Sequence, residues 1–428
     1  MATRTSRDDL AERVRDFVLD GFTPQFGQLT DTFGDDPSWR RLKELGGELW
    51  LDTGDIDDAA GLWTKQFSAL TTNNTLLNKE VQKGTYDDLI PAAAGMLARY
   101  ELPPDELVLE IAFILNARHA LKLVERFDAF VSVEEHTDFA HNVDGAVEIA
   151  RRYHAICPER FYVKVPFTPS GLLATRRLSR EGIPVNHTLG FAARQNYLIA
   201  RVARPRFVNV FLGRLNSFVA DNDLGPGALV GERAMLASQA AVSELRRTAG
   251  IGTRQIGASF RSGGQVRDLV GIDVMTMPPK VAREFLALGI APDALVSRVD
   301  EEYRPPLHEE VDEREVGLHT LWEVPGELVA CVDALESEDL DRFSADDLVN
   351  LFAAHGCGDV LVRWTDRQVQ VSRDEGKIPR LANWRQTLES GIIGLDALMN
   401  LAGLNSFAAD QAAMDDRVRQ MLHVPAGR

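Results

Sequence analysis

Between residues 48 and 290, short apolar segments alternate with longer amphipathic stretches. That alternation is the pattern of repeated strand–helix units around a parallel sheet. Eight segments read as strands: Leu49 to Thr53, Ala69 to Asn73, Ala129 to Glu134, Phe161 to Phe167, Val185 to Phe191, Phe207 to Phe211, Gln255 to Phe260, and Asp273 to Met277. Helical spacing lies between them, most clearly over Asp105 to Val124, Val143 to Ile156, Ser170 to Arg180, Glu232 to Thr248 and Val281 to Leu288. Eight strands, each followed by a helix, predict an α/β fold of the closed (β/α)8 TIM-barrel type.

Side-chain parity supports the same fold. A barrel strand points alternate residues inward and toward the helix layer. In the fourth strand Phe161, Val163, Val165 and Phe167 share one parity and Lys164 has the other, so the apolar set meets the helices and Lys164 faces the interior. The same division turns Asp52, Glu134, Asn186, Thr188 and Asn209 inward. Polar groups converging near strand ends occupy the place where barrel enzymes keep their chemistry.

The flanks read differently. Residues 1–47 hold two helical patterns, Asp8 to Asp20 and Pro37 to Leu45 with Asp36 as cap, expected to pack on the barrel or on a partner. The barrel is expected over 48–299. Residues 300–428 form an acidic, proline-containing link (Asp300 to Glu315) and a mainly helical appended region from 306. Asp359 to Ser372 has a hairpin alternative, since Val360, Val362, Val369 and Val371 fall at period-two spacing. Phe343, Phe352, Trp364 and Trp384 read as core or interface.

A net charge of −17 argues against nucleic-acid and anionic-membrane partners, so an anionic ligand needs local arginines. No apolar run reaches membrane-spanning length, and Arg4, Arg7, Asp8 and Asp9 interrupt the start where a signal peptide is apolar, which leads us to expect a cytoplasmic protein. Cys157, Cys331 and Cys357 are odd in number and scattered, as buried reduced thiols are. Glu135, His136, Asp138 and His141 superficially resemble metal ligands, but a solvated loop where strand turns to helix accounts for them, and we expect no metal. Lys280 reads as a surface charge.

Lys164 is the sharpest single signal. Of the 47 basic residues only eight are lysines, and this one alone sits inside an apolar strand. An ordinary lysine is neutral in only about one molecule in a thousand at neutral pH, and an imine-forming amine must overcome that. The residues alone equally allow a structural lysine paired with Glu134 or Asp52.

The segments Leu51-Asp52-Thr53, Thr71-Thr72-Asn73, Ser132-Val133-Glu134, Val163-Lys164-Val165-Pro166, Asn186-His187-Thr188-Leu189, Phe211-Leu212-Gly213-Arg214 and Gly257-Ala258-Ser259-Phe260-Arg261 together resemble the transaldolase family in order and spacing. The resemblance covers residues 48–290 and leaves both flanks outside. It implies a cofactor-independent transferase of sugar-phosphate metabolism in which Lys164 forms the Schiff base, Asp52 is the acid/base in carbon–carbon cleavage, and Glu134 with Thr188 holds a proton-shuttling water. It further implies that Asn73, Asn186 and Asn209 meet the retained dihydroxyacetone unit, and that Arg214, Ser259 and Arg261 bind phosphate, with the N–H groups at Gly263 and Gly264 as a further anion site. Small-molecule sugar phosphates are the expected partners, and a homo-oligomer is compatible with them.

Two departures stand out: Asn74 replaces the family's usual proline, and Asn209 its common serine. Fructose-6-phosphate aldolase relatives, which release free dihydroxyacetone, carry a tyrosine where this chain has Phe211, so the resemblance favours transfer over release. A degenerate barrel serving as an interaction scaffold is the reading from another class; the retained Lys164, Asp52, Glu134 and Thr188 set argues against it. All these residues precede the linker, so the appended region is expected to serve assembly or stability.

Overall fold

The computed structural model describes residues 4–424. Eight strands pair in parallel and in chain order: β1 (Glu48–Asp52), β2 (Phe67–Thr71), β3 (Phe130–Glu134), β4 (Phe161–Pro166), β5 (Val185–Thr188), β6 (Phe207–Phe211), β7 (Arg254–Ala258) and β8 (Val274–Met277). β8 pairs back onto β1, closing a (β/α)8 barrel without an edge. The register sets Glu134 of β3 against Lys164 of β4, and Lys164 against Asn186 of β5, so three inward-facing polar residues share one row.

The apolar parity of β4 meets the helices as expected, with Phe161, Val163, Val165 and Phe167 all buried. Below the polar row the interior is closed by aromatic rings. Trp50 stacks on Tyr162 at 5.7 Å, and Phe207 stands edge-on to both, 4.8 and 5.1 Å away. This floor keeps the base of the barrel packed, so the polar groups open only toward the C-terminal ends of the strands.

Three strands end two or more residues earlier than their apolar patterns suggest, each for a local reason. β2 stops at Thr71 because Asn73 caps the helix Asn74–Gln82, accepting the Leu76 N–H at 2.9 Å. β5 stops at Thr188 because Leu189 turns left-handed (φ 61°), and β7 stops at Ala258 because Ser259 does the same (φ 65°). Helix starts carry side-chain caps that pattern alone underweights, including Asn142 before Val143–Ile156 and Thr168 before Pro169–Arg180.

At the N-terminus the helix Arg4–Leu19 buries Val14 and Val18, and Arg15 Nε donates to the carbonyl of Ala155 at 3.0 Å. Asp36 caps Pro37–Glu44, whose Trp39 stacks on Phe285 at 5.1 Å. Beyond β8 and the helix Pro279–Ala287, an irregular stretch leads to the helices Gly326–Leu335, Ala345–Ala354, Asp366–Glu375, Leu381–Glu389 and Leu395–Leu422. The hairpin alternative is not adopted: Val369 and Val371 lie on Asp366–Glu375, which a Thr365–Gln368 capping box starts. Phe352 and Trp384 are buried, and Trp364 packs edge-on to Trp384 at 6.1 Å.

The last helix, Leu395–Leu422, lies across the C-terminal face of the barrel. Its first turn is pinned where Arg194 meets Asp396 at 2.6 and 2.7 Å and Asp359 at 2.7 Å. Asn400 reaches the Leu189 carbonyl at the end of β5, and Arg417 pairs with Asp87 at 2.8 Å. One apolar core runs continuously from Val14 to Val418. No helix among the described residues is long and apolar enough to cross a membrane.

Asp396 is fully buried, so removing its partner strands a carboxylate. We expect Arg194→Ala to cost about 3–5 kcal/mol in urea denaturation, and the double change Arg194→Met with Asp396→Leu to recover most of that loss. A single variant within about 1 kcal/mol of the parent would show that the pair does not anchor the helix.

Candidate active site

Lys164 enters the barrel from the centre of β4, with only 4% of its surface exposed. Its Nζ donates to the Thr72 carbonyl at 3.1 Å and lies 3.6 Å from Glu134 Oε2. The Phe407 ring, contributed by the C-terminal helix, covers it with the centroid 5.7 Å from Nζ. The amine is thus held between a carboxylate, a backbone oxygen and an aromatic face, away from bulk water.

Two carboxyl groups flank it in different settings. Glu134 is buried and accepts the Asn74 N–H at 3.3 Å. Burial pushes its carboxyl above the ordinary range, while Lys164 and the Asn74 N–H pull it back. Asp52 sits at the rim and accepts from Thr71 Oγ1 at 2.7 Å; Thr71 in turn shares a 2.7 Å hydrogen bond with Thr276. Desolvation raises Asp52 as well, against the attraction of Lys164. Burial thus shifts both carboxyls upward, the direction that favours their taking up a proton in acid/base chemistry. Thr188 Oγ1 is buried and makes no hydrogen bond within the protein, leaving it available to a ligand or water.

The asparagines are more committed than their inward parity suggests. Asn73 spends its oxygen on the cap described above. Asn186 Nδ2 donates to Ser132 Oγ at 3.0 Å, and its oxygen accepts from Asn209 Nδ2 at 3.2 Å. Asn209 also donates to the His187 carbonyl and accepts the Gly190 N–H, so both ends of its amide are occupied. Asn209 therefore braces β5 against β6 instead of presenting a free amide.

Arg214 and Arg261 follow β6 and β7 at the barrel mouth. Arg214 is buried with Nη1 unpartnered, and it lies over the rings of Phe211 and Phe407, 5.5 and 5.3 Å from their centroids. Burial, with Arg261 nearby, pushes it down to about 10. Arg261 is exposed at the rim, and its close approach to Gly213 needs a residue without Cβ there. Ser259, buried and left-handed, lies beside them. The Gly263 N–H is taken by Glu284 at 3.2 Å, so it does not serve as the anion site expected at that helix start.

Phe407 is a lining residue that sequence reasoning missed; the signal there was an amphipathic segment in a region expected to serve assembly or stability. The side chains that superficially resemble metal ligands do not converge. His136 pairs with Asp415 at 3.1 Å, and Glu135 is buried with both oxygens unpartnered, which raises its carboxyl well above the usual range. Among the described residues no group of three or more His, Cys, Asp and Glu side chains is placed to hold a metal. Lys280 is exposed beside Glu284. A cavity of about 390 Å³ lies between Phe167, Trp364 and Leu401, and none of the candidate site residues lines it.

A buried amine between carboxyl groups at the C-terminal mouth of a (β/α)8 barrel defines a barrel enzyme whose chemistry lies at the strand ends. Residues 49–353 match the transaldolase/fructose-6-phosphate aldolase family, and the chain belongs to it. It is 30% identical over 253 residues to a transaldolase of Xanthomonas euvesicatoria pv. vesicatoria, covering 57% of this chain and 76% of the relative. A probable transaldolase of Thermus thermophilus is 33% identical over 243 residues, covering 56% and 90%, and a transaldolase of Schizosaccharomyces pombe 27% identical over 274 residues, covering 61% and 81%. The chain is an enzyme of the transferase class. Phe407 lies beyond the matched residues.

The Asn74 N–H that reaches Glu134 is one a proline would lack. Asn74 is the first residue of its helix, where proline is well tolerated. We expect Asn74→Pro to fold, to raise the Glu134 carboxyl further, and to move the limb of the pH–rate profile governed by Glu134 to higher pH. A limb that stays in place or moves down would remove this hydrogen bond from the account.

Proposed function

We propose that the enzyme transfers a dihydroxyacetone unit from a ketose phosphate, such as fructose 6-phosphate or sedoheptulose 7-phosphate, to an aldose phosphate through an imine on Lys164. The observation carrying this reading is the buried Lys164 amine, 3.6 Å from Glu134 and roofed by an apolar ring. Its amine adds to the ketose carbonyl, and loss of water gives the iminium. Asp52 takes the proton from the hydroxyl on the far carbon of the bond that breaks; that carbon becomes the aldehyde of the departing aldose phosphate, and the electron pair of the broken bond is held as the enamine. Addition of the enamine carbon to the acceptor aldehyde, with Asp52 returning the proton, and hydrolysis of the new iminium complete the transfer.

In this reading a water held by Glu134 and Thr188 serves imine formation and hydrolysis. Asn73 and Asn186 orient the dihydroxyacetone unit, with Asn209 acting through Asn186. Arg214, Arg261 and Ser259 receive the phosphate. No cofactor takes part, and the ligands are small sugar phosphates. Release of free dihydroxyacetone is the competing outcome; the phenyl ring of Phe211, which carries no proton donor, favours transfer.

Borohydride added with fructose 6-phosphate is expected to fix an adduct on Lys164, and Lys164→Met to abolish adduct and transfer together. A folded Lys164→Met enzyme that transfers at the parent rate, or an adduct mapping to Lys280, overturns the assignment.

Arg261→Ala is expected to weaken phosphorylated substrates roughly 10- to 150-fold, from a charge-assisted contact contributing about 1.5–3 kcal/mol, while leaving dephosphorylated forms nearly unchanged. Equal losses for both forms in kcat/KM measurements would make the arginine structural.

A further inference from the structure

We propose that Phe407 sets the partition between transfer and release by denying the enamine carbon a proton from water; the inference rests on the imine reading above. Its ring is buried, 5.7 Å from Lys164 Nζ, 5.3 Å from the Arg214 guanidinium carbon, and edge-on to Phe211 at 6.4 Å. It therefore covers the side of the site facing the C-terminal helix, where an adduct on Nζ begins. The enamine carbon is one carbon removed from the imine carbon and two bonds from Nζ, so an adduct there forms within reach of the Phe407 ring.

The ring is held there by contacts on both sides. Asn400 binds the Leu189 carbonyl and Gln195, and Thr75 donates to Asp410, bracketing Phe407 along the helix. Gly403 allows close approach: a Cβ there would lie 2.9 Å from Leu189 Cδ2 and 3.3 Å from Arg214 Nη1. A ring so fixed offers neither donor nor acceptor.

Chemistry turns that apolar contact into selectivity. After cleavage the enamine has two fates. It adds its carbon to an acceptor aldehyde, forming a carbon–carbon bond while the aldehyde oxygen takes a proton. Alternatively that carbon takes a proton from water, giving an iminium; a second water adds to the imine carbon, nitrogen is protonated, and the carbon–nitrogen bond breaks to release dihydroxyacetone and the lysine amine. Only the second fate requires a proton donor at the enamine carbon. Glu134 and Thr188 lie on the barrel side of Lys164, so water they hold can serve imine hydrolysis without opening the Phe407 side.

The test compares the parent with Phe407→Leu, which thins the cover, and Phe407→Tyr, which keeps the ring and adds a hydroxyl. Dihydroxyacetone release from fructose 6-phosphate and transfer to erythrose 4-phosphate are measured on the same preparations, with borohydride trapping on each. The release-to-transfer ratio is expected to rise about tenfold or more in both variants, against the ~100-fold that a well-positioned proton donor contributes. A merely structural defect lowers both rates in proportion and leaves the ratio unchanged. Adducts on Lys164 in all three proteins with a constant ratio overturn the role of Phe407 and leave the imine reading standing. Absence of an adduct in the parent overturns both. Should the leucine variant fail to fold, the tyrosine variant alone decides.

Discussion

Everything in the site is arranged around one problem: a lysine amine placed inside a closed barrel, away from bulk water. The closure of β8 onto β1 fixes the interior, and the register brings Glu134 level with Lys164. An amine there needs a carboxylate, a hydrogen-bond acceptor and a favourable aromatic face, and Glu134, the Thr72 carbonyl and Phe407 are those three. Each comes from a different part of the chain. The aromatic floor of Trp50, Tyr162 and Phe207 closes the other direction, so the polar row communicates only with the C-terminal mouth.

The barrel was legible because closure imposes one rule on every strand. Inward and outward parities cannot be exchanged without placing Lys164 among the helices and Phe161, Val163 and Val165 in the site. That is why one strand sufficed to orient the amine, and why Asp52, Glu134 and Thr188 could be grouped with it. Strand ends were less legible, since Asn73, Leu189 and Ser259 terminate strands by capping or by left-handed backbone, neither of which interrupts an apolar pattern. Parity also gives direction without satisfaction. It turned Asn186 and Asn209 inward but carried no sign that they bond chiefly to each other, to Ser132 and to neighbouring backbone.

The roof was not legible at all. Phe407 meets Lys164 across a sequence separation that no local pattern spans, and its helix has buried residues on several sides, including Leu398, Ala402, Phe407 and Met414. Such a helix declares that it is covered without saying by what. Its docking rests on Arg194 with Asp396 and on Asn400 with the Leu189 carbonyl, long-range pairs whose members look like ordinary surface residues in the sequence. The appended region, expected to serve assembly or stability, thus also contributes a wall of the site.

The placement of charge bears on what the site accepts. The chain carries a net −17, yet Arg214 is buried against two phenyl rings with Nη1 unpartnered, and burial holds its affinity for a proton below that of a free guanidinium. Aromatic faces offset part of the cost of such a buried cation; a carboxylate partner would offset more, but it would also neutralise the charge. Arg261, at the rim nearby, is pushed down by partial burial, against the attraction of Asp52. Two cations held close together repel, and that repulsion is relieved when an anion sits between them. The arrangement is therefore least costly with an anionic group bound. Because the chain as a whole is acidic, capture of an anionic group there would rest on these two guanidinium groups at short range more than on long-range attraction.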